Sequence, residues 1–122
     1  MNIKNIAIDF LQMVVAGKIN EAYQKYIASD FRHHNAYYRG DAASLKQGMI
    51  ESQVQDPHKS LEIQQTICEG DLVMVHSWLR KHPGDNGATV VHIFKIQNLK
   101  IIEMWDIGMP IPESSPNENG IF

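Results

Sequence analysis

The chain reads as an α+β protein with three N-terminal helices packed on the concave face of a curved antiparallel sheet. Two observations predict it. Apolar residues recur at helical spacing through the first half, and from Ser60 onward the period changes to two. Helices followed by consecutive strands favour segregation of the helices onto one sheet face. At 122 residues with 43% hydrophobic content, one core and one domain spanning residues 1–122 are expected.

Ile3, Ile6, Ala7, Phe10, Met13 and Val14 mark the first helix, which Gly17 should terminate. Asn20 is placed to cap a second helix with Ala22, Tyr23, Tyr26 and Ile27 on its apolar stripe. Ser29-Asp30 breaks that pattern. Phe31 to Arg39 then reads as an irregular polar and aromatic stretch. Asp41 caps a third helix whose Leu45, Met49 and Gln53 face inward, and Asp56-Pro57 ends it.

Four strands follow, near Leu61–Glu69, Leu72–Lys81, Ala88–Gln97 and Leu99–Gly108. Glu69-Gly70-Asp71, the segment His82 to Gly87 and Gln97-Asn98-Leu99 connect them as a meander. The tail from Pro110 to Phe122, with three prolines, should be an extended arm.

Net charge is −3 without basic clustering, which argues against a nucleic-acid partner. A single cysteine, Cys68, allows no intrachain disulfide and suits a reducing compartment. No Cys/His spacing suggests structural zinc. Asp9 and Gln12 interrupt the first apolar run, so it does not read as a signal peptide, and no stretch approaches the roughly 20 apolar residues of a membrane span. These readings place the protein in the cytoplasm by elimination, with no membrane partner.

Asp106 is the most informative residue. It lies in a strand-like segment where Ile102, Met104 and Asp106 share one side. A carboxylate on an apolar face is costly unless it is paired, protonated or facing a cavity. On the preceding strand, His92 shares a side with Val90, Phe94 and Ile96. Asp106 and His92 together suggest a polar pair at the base of an apolar pocket, suited to acid–base chemistry. On the outer side, Trp105, Val91, Ile93 and Glu103 form a mixed patch without a helical cover, which predicts a homodimer.

The same segments resemble the SnoaL-like polyketide cyclases of the NTF2-like superfamily. The resemblance rests on Phe31-Arg32-His33-His34-Asn35, Glu69-Gly70-Asp71-Leu72-Val73, His82-Pro83-Gly84-Asp85 and Glu103-Met104-Trp105-Asp106. The closing Pro110-Ile111-Pro112-Glu113 and Asn119-Gly120-Ile121-Phe122 are also similar. It implies a cone-shaped fold enclosing a small-molecule cavity, and aldol-type chemistry without metal or cofactor. An aspartate on the last strand is the acid–base group in such enzymes, and a histidine on the preceding strand holds the substrate's oxygens. Asp106 and His92 match those positions. Asn35 matches a polar residue lining the cavity, and of the adjacent histidines the resemblance selects His34 to face it. These cyclases carry a glutamine two residues before the histidine, where this chain has Val90.

The expected substrate-binding set is therefore His34, Asn35, Tyr38, His76, Val90, Phe94 and Met104, with His76 readable equally as a residue of the outer face. At least one of His34, Asn35 and Tyr38 should reach the pocket mouth. Structural readings compete for the other two groups. Asp106 would then be a buried carboxylate bonded to Tyr37, Tyr38 or a helix N-terminus, and His92 a satisfied core histidine. His34, His92 and Asp106 also have the composition of a metal-binding facial triad, though no spacing rule supports it. At the level of function, the alternatives are a ligand-binding module without turnover and a dimeric interaction protein with a vestigial cavity.

Overall fold

The computed structural model describes residues 2–122. Three helices, α1 (Ile3–Val15), α2 (Ile19–Tyr26) and α3 (Ala42–Gln55), precede or interrupt five strands. These are β1 (Ile27–His33), β2 (Ser60–Glu69), β3 (Leu72–Arg80), β4 (Ala88–Gln97) and β5 (Lys100–Pro110). The sheet order is β1-β5-β4-β3-β2. β1 runs parallel to β5 and every other pairing is antiparallel.

The helix ends follow from local chemistry. Asn2 caps α1 by accepting from the Asn5 amide at 2.9 Å. Gly17, with φ +85°, closes it in a Schellman turn, where the Gly17 amide donates to Val14 and the Lys18 amide to Met13. Asp41 caps α3 and accepts from both the amide and the hydroxyl of Ser44. These bonds hold its carboxyl below the ordinary aspartate value. Asn20 does not cap α2: the N-cap is Lys18, whose side chain makes no cap bond, and Asn20 lies inside the first turn.

β1 is the element that differs from the sequence reading. Ile27, expected on the stripe of the second helix, and the residues through His33 form an edge strand instead. Its pairing with Ile101, Glu103 and Met104 of β5 is non-local, so no local pattern announces it.

β5 differs in register. Ile96 pairs with Ile101 and Lys95 with Glu103, which leaves Ile102 as an extra residue in a β-bulge. Ile101, not Ile102, therefore shares the inner face with Met104 and Asp106. A comparable irregularity at Gln64 lies between the Ile63–Ser77 and Gln65–His76 pairs of β2 and β3.

The core sits between the helices and this inner face. Ile6, Ala7, Phe10 and Leu11 of α1 and Ile19, Ala22 and Tyr23 of α2 pack over Val73, Val75, Phe94, Ile96, Ile101 and Met104. Phe10 meets Phe94 edge to face at 6.0 Å. Residues 111–122 contain no helix or strand. Their final residue, Phe122, returns to the outer face and packs on His76 and Trp78. No helix of the described residues is long and apolar enough to cross a membrane.

Candidate acid–base site

β4 and β5 place His92 directly opposite Asp106 on the inner face. Opposed residues of an antiparallel pair bring their Cβ atoms to about 5 Å, so the two side chains are neighbours. His92 borders a space walled by α1, and Asp106 one walled by α1 and α3.

The Asp106 carboxylate accepts a 2.7 Å hydrogen bond from Asn35 Nδ2. Asn35 follows β1, and its own conformation is fixed by two further bonds. Its amide donates to His33 Nδ1 at 3.1 Å, and its Oδ1 accepts from the Tyr37 amide at 2.9 Å. Among the described residues no hydrogen bond joins Asp106 to His92.

His92 lies parallel to Phe94 with ring centroids 6.0 Å apart, and its Nδ1 is buried without a partner. Burial pushes its pKa below the ordinary histidine value, and the Asp106 charge opposes this only in part. The imidazole is therefore neutral at pH 7.

Three adjoining cavities meet here. One of about 500 Å³ is lined by His34, Asn35, Tyr37, Val90, His92 and Asp106. A second, of about 240 Å³, shares Asn35 and Asp106 and adds Tyr38, Gly48, Ser52 and Lys59. A third, of about 130 Å³, reaches inward past His92 and Lys59 to Phe10, Leu61 and Met104. Leu79 lines all three. A separate cleft of about 280 Å³ near Glu21 and Gln53 shares no residue with them.

The structure thus brings together Asp106, His92, Asn35, Val90 and Tyr38 of the residues selected from sequence. Met104 lines only the small inner cavity and is buried in the core. Three others need correction. Phe94 is fully buried against Phe10, as a core residue rather than a ligand contact. His76 is on the outer face, because Val73, Val75 and Ser77 take the inner one. It bonds Gln65 and Thr89 and packs on Phe122.

His34 borders the large cavity, but its ring is committed behind the sheet. There Nε2 lies 2.6 Å from Glu103 Oε2 and the ring stacks on Trp105. Arg32 also reaches Glu103, and the bonds from His34 and Arg32 hold that carboxyl below the ordinary glutamate value. His33 is the histidine that points inward, but it is tied to the Arg39 carbonyl. His34, His92 and Asp106 are therefore not convergent, and no group of three or more metal-ligating side chains occurs among the described residues.

Lys59 is a site residue that sequence reading missed. It belongs to the connection before β2, where a lone lysine beside His58 looks like an ordinary solvated charge.

No protein-family model matches the chain, and no curated protein does. Solved structures do. A loop-truncation variant of IdmH matches at 20% identity over 88% of this chain and 92% of that one, with a TM-score of 0.73. A candidate polyketide cyclase from Acidithiobacillus ferrooxidans matches at 22% identity over 87% of each chain, with a TM-score of 0.69. A candidate isomerase of the SnoaL-like family from Agrobacterium tumefaciens matches at 9% identity over 89% of this chain and 99% of that one, with a TM-score of 0.72. With three helices on a curved five-stranded sheet and these structural neighbours, the chain has the α+β cone fold that NTF2-like and SnoaL-like proteins share.

Proposed function

We propose that the protein is a cofactor-independent acid–base enzyme acting on a small, largely apolar carbonyl compound. The observation that carries this is Asp106 opposite His92 at the floor of the cavity, with Asn35 orienting the carboxylate. Asp106 removes a proton from the carbon next to a carbonyl and returns it elsewhere. His92, neutral and lining the same cavity, hydrogen-bonds the oxygen on which charge develops. Enolate formation of this kind serves both aldol-type cyclisation and isomerisation. Two structurally similar proteins are described as a candidate polyketide cyclase and a candidate isomerase, in keeping with this chemistry. Val90 leaves the wall beside His92 apolar, which favours a substrate with fewer oxygens than a polyketide.

The test requires no knowledge of the natural substrate. Apolar 1,3-dicarbonyl probes are incubated in D2O and exchange at the central carbon is followed by NMR. The expected result is acceleration by the wild type and loss of it in Asp106→Asn. Equal exchange in both proteins moves the chemistry elsewhere.

A binding module without turnover is the second reading, favoured by the bond from Asn35 that already occupies one carboxylate oxygen. We further propose a homodimer through the outer sheet face, where Ile93, Trp105 and exposed Ile107 lie without a helical cover. Sedimentation as a monomer at micromolar concentration defeats this. The free, exposed Cys68 suits the reducing cytoplasm.

A further inference from the structure

Lys59 lies one residue before β2, and its side chain borders two of the three cavities. In one it faces Phe10, Leu61, Met104 and His92. In the other it faces Asn35, Tyr38, Ser52 and Asp106. Its Nζ donates to the Ser52 hydroxyl. Among the described residues no carboxylate oxygen lies within 4.0 Å of it. Burial lowers its pKa from the ordinary lysine value, and the charge of Asp56, beyond the end of α3, opposes this only in part.

An ammonium against apolar walls, with one neutral partner and no carboxylate in contact, has lost part of its hydration without forming an ion pair. Such a group is costly in the empty cavity, and an anion brought by a ligand offsets that cost. The neighbouring charges make the cavity a dipole. Lys59 is its cation and Asp106 its anion, with the neutral His92 on the wall between the inner and outer spaces.

We propose that Lys59 anchors a carboxylate on the ligand, so that the compound taken by this site is an oxo acid. This rests on the acid–base reading of Asp106 and adds the substrate class to it. The carboxylate lies at Lys59 and is kept away from Asp106 by like-charge repulsion. The chain between them carries the carbonyl and presents its acidic C–H to Asp106. A carboxylate suits the site better than a phosphate. One ammonium and one hydroxyl match a monoanion, whereas a phosphate dianion calls for more donors than these apolar walls supply.

The probe pair is 4-oxo-4-phenylbutanoate and its primary amide, which differ in charge but little in shape. Binding is measured by calorimetry or NMR titration on the full chain. The wild type is expected to prefer the acid by about tenfold or more, the scale of one charge-assisted hydrogen bond. Lys59→Met replaces the charge with a side chain suited to the wall, and is expected to reduce the preference to within about twofold without lowering the melting temperature. If Met disturbs the melt, Lys59→Gln gives the same readout. Asp106→Asn should bind the acid at least as well as the wild type, so the anchor can be judged apart from turnover. Equal binding of acid and amide by the wild type overturns the proposal, as does a preference that survives loss of the lysine. Failure of the acid to bind at about 10 mM also overturns it. A borohydride-stable adduct at Lys59 overturns it in favour of a covalent amine.

Discussion

Asn35 donates to Asp106 across seventy-one positions of sequence, and this one bond ties the end of the edge strand β1 to β5. The carboxylate is thereby aimed before any ligand arrives. Asn35→Ala removes the donor and leaves the backbone conformation to the remaining turn bonds. Exchange activity should fall about tenfold to a hundredfold. Fold should be retained, as judged by unchanged far-ultraviolet circular dichroism. Activity equal to wild type shows that Asp106 needs no such orientation.

Asp106→Asn keeps the shape of the side chain and removes proton transfer. Turnover of a true substrate should drop by about a hundredfold or more while ligand affinity survives. Comparing kcat with a separately measured Kd checks this. Loss of affinity in step with kcat shows that the carboxylate binds rather than reacts.

Acid should destabilise the protein in two stages. His92 has a folded pKa below its unfolded value of 6.5, so the unfolded chain binds the proton more readily. Its contribution is whole above that pH and is lost as pH falls below it. Glu103 is likewise depressed from 4.5, and its contribution fades only below that value. Urea midpoints measured from pH 8 to pH 3 should show both losses. His92→Leu should flatten the upper part of the curve and Glu103→Gln the lower part. A wild-type midpoint constant from pH 7 to pH 5 contradicts the assignment to His92.

Leu99 occupies a left-handed conformation, φ +62°, in the two-residue turn between β4 and β5, and the residue is 59% exposed. The preceding Asn98 tolerates that region and leucine does not. Leu99→Gly should stabilise the fold by about 1 kcal/mol, read as a higher denaturation midpoint with an unchanged m-value. A lower midpoint means that the exposed leucine contributes packing that outweighs the backbone strain.

Gly48 shows the reverse dependence. A Cβ there would lie 2.3 Å from Tyr38 Cε1, so the Tyr38 ring rests on bare helix backbone. Tyr38 is partly exposed and borders the cavity that contains Lys59 and Asp106, so its ring has space to turn into solvent. Gly48→Ala should therefore leave stability within about 1 kcal/mol of wild type, helped by helix propensity. Ligand affinity should change because the ring must swing away. A large loss of stability with unchanged affinity means that Tyr38 holds α3 and does not shape the cavity.

The layered architecture was legible because its signals are local: helical spacing in α1 and α3, caps at Gly17 and Asp41, and alternation through β4. The pair Asp106 and His92 was legible for the same reason, as polar intrusions on an inner face. β1 was not, because its strand identity comes from parallel pairing with a segment far along the chain. On β3 the two rows, Val73-Val75-Ser77 and Met74-His76-Trp78, are both largely apolar, so periodicity alone cannot say which faces the helices. Phe94 lies on the inner face, as alternation predicts, but alternation does not distinguish a core position from a cavity wall. Lys59 sits outside any periodic element, and only the packing of α1 and α3 around it gives it an apolar environment.

His34 and Asn35 are consecutive, yet one is held behind the sheet by Glu103 and Trp105 while the other holds Asp106 in front. A single peptide unit is thus the axle of a lever passing through the rim of the molecule. The backbone between His34 and Asn35 is therefore fixed from both sides, by Glu103 and Trp105 behind and by Asp106 in front.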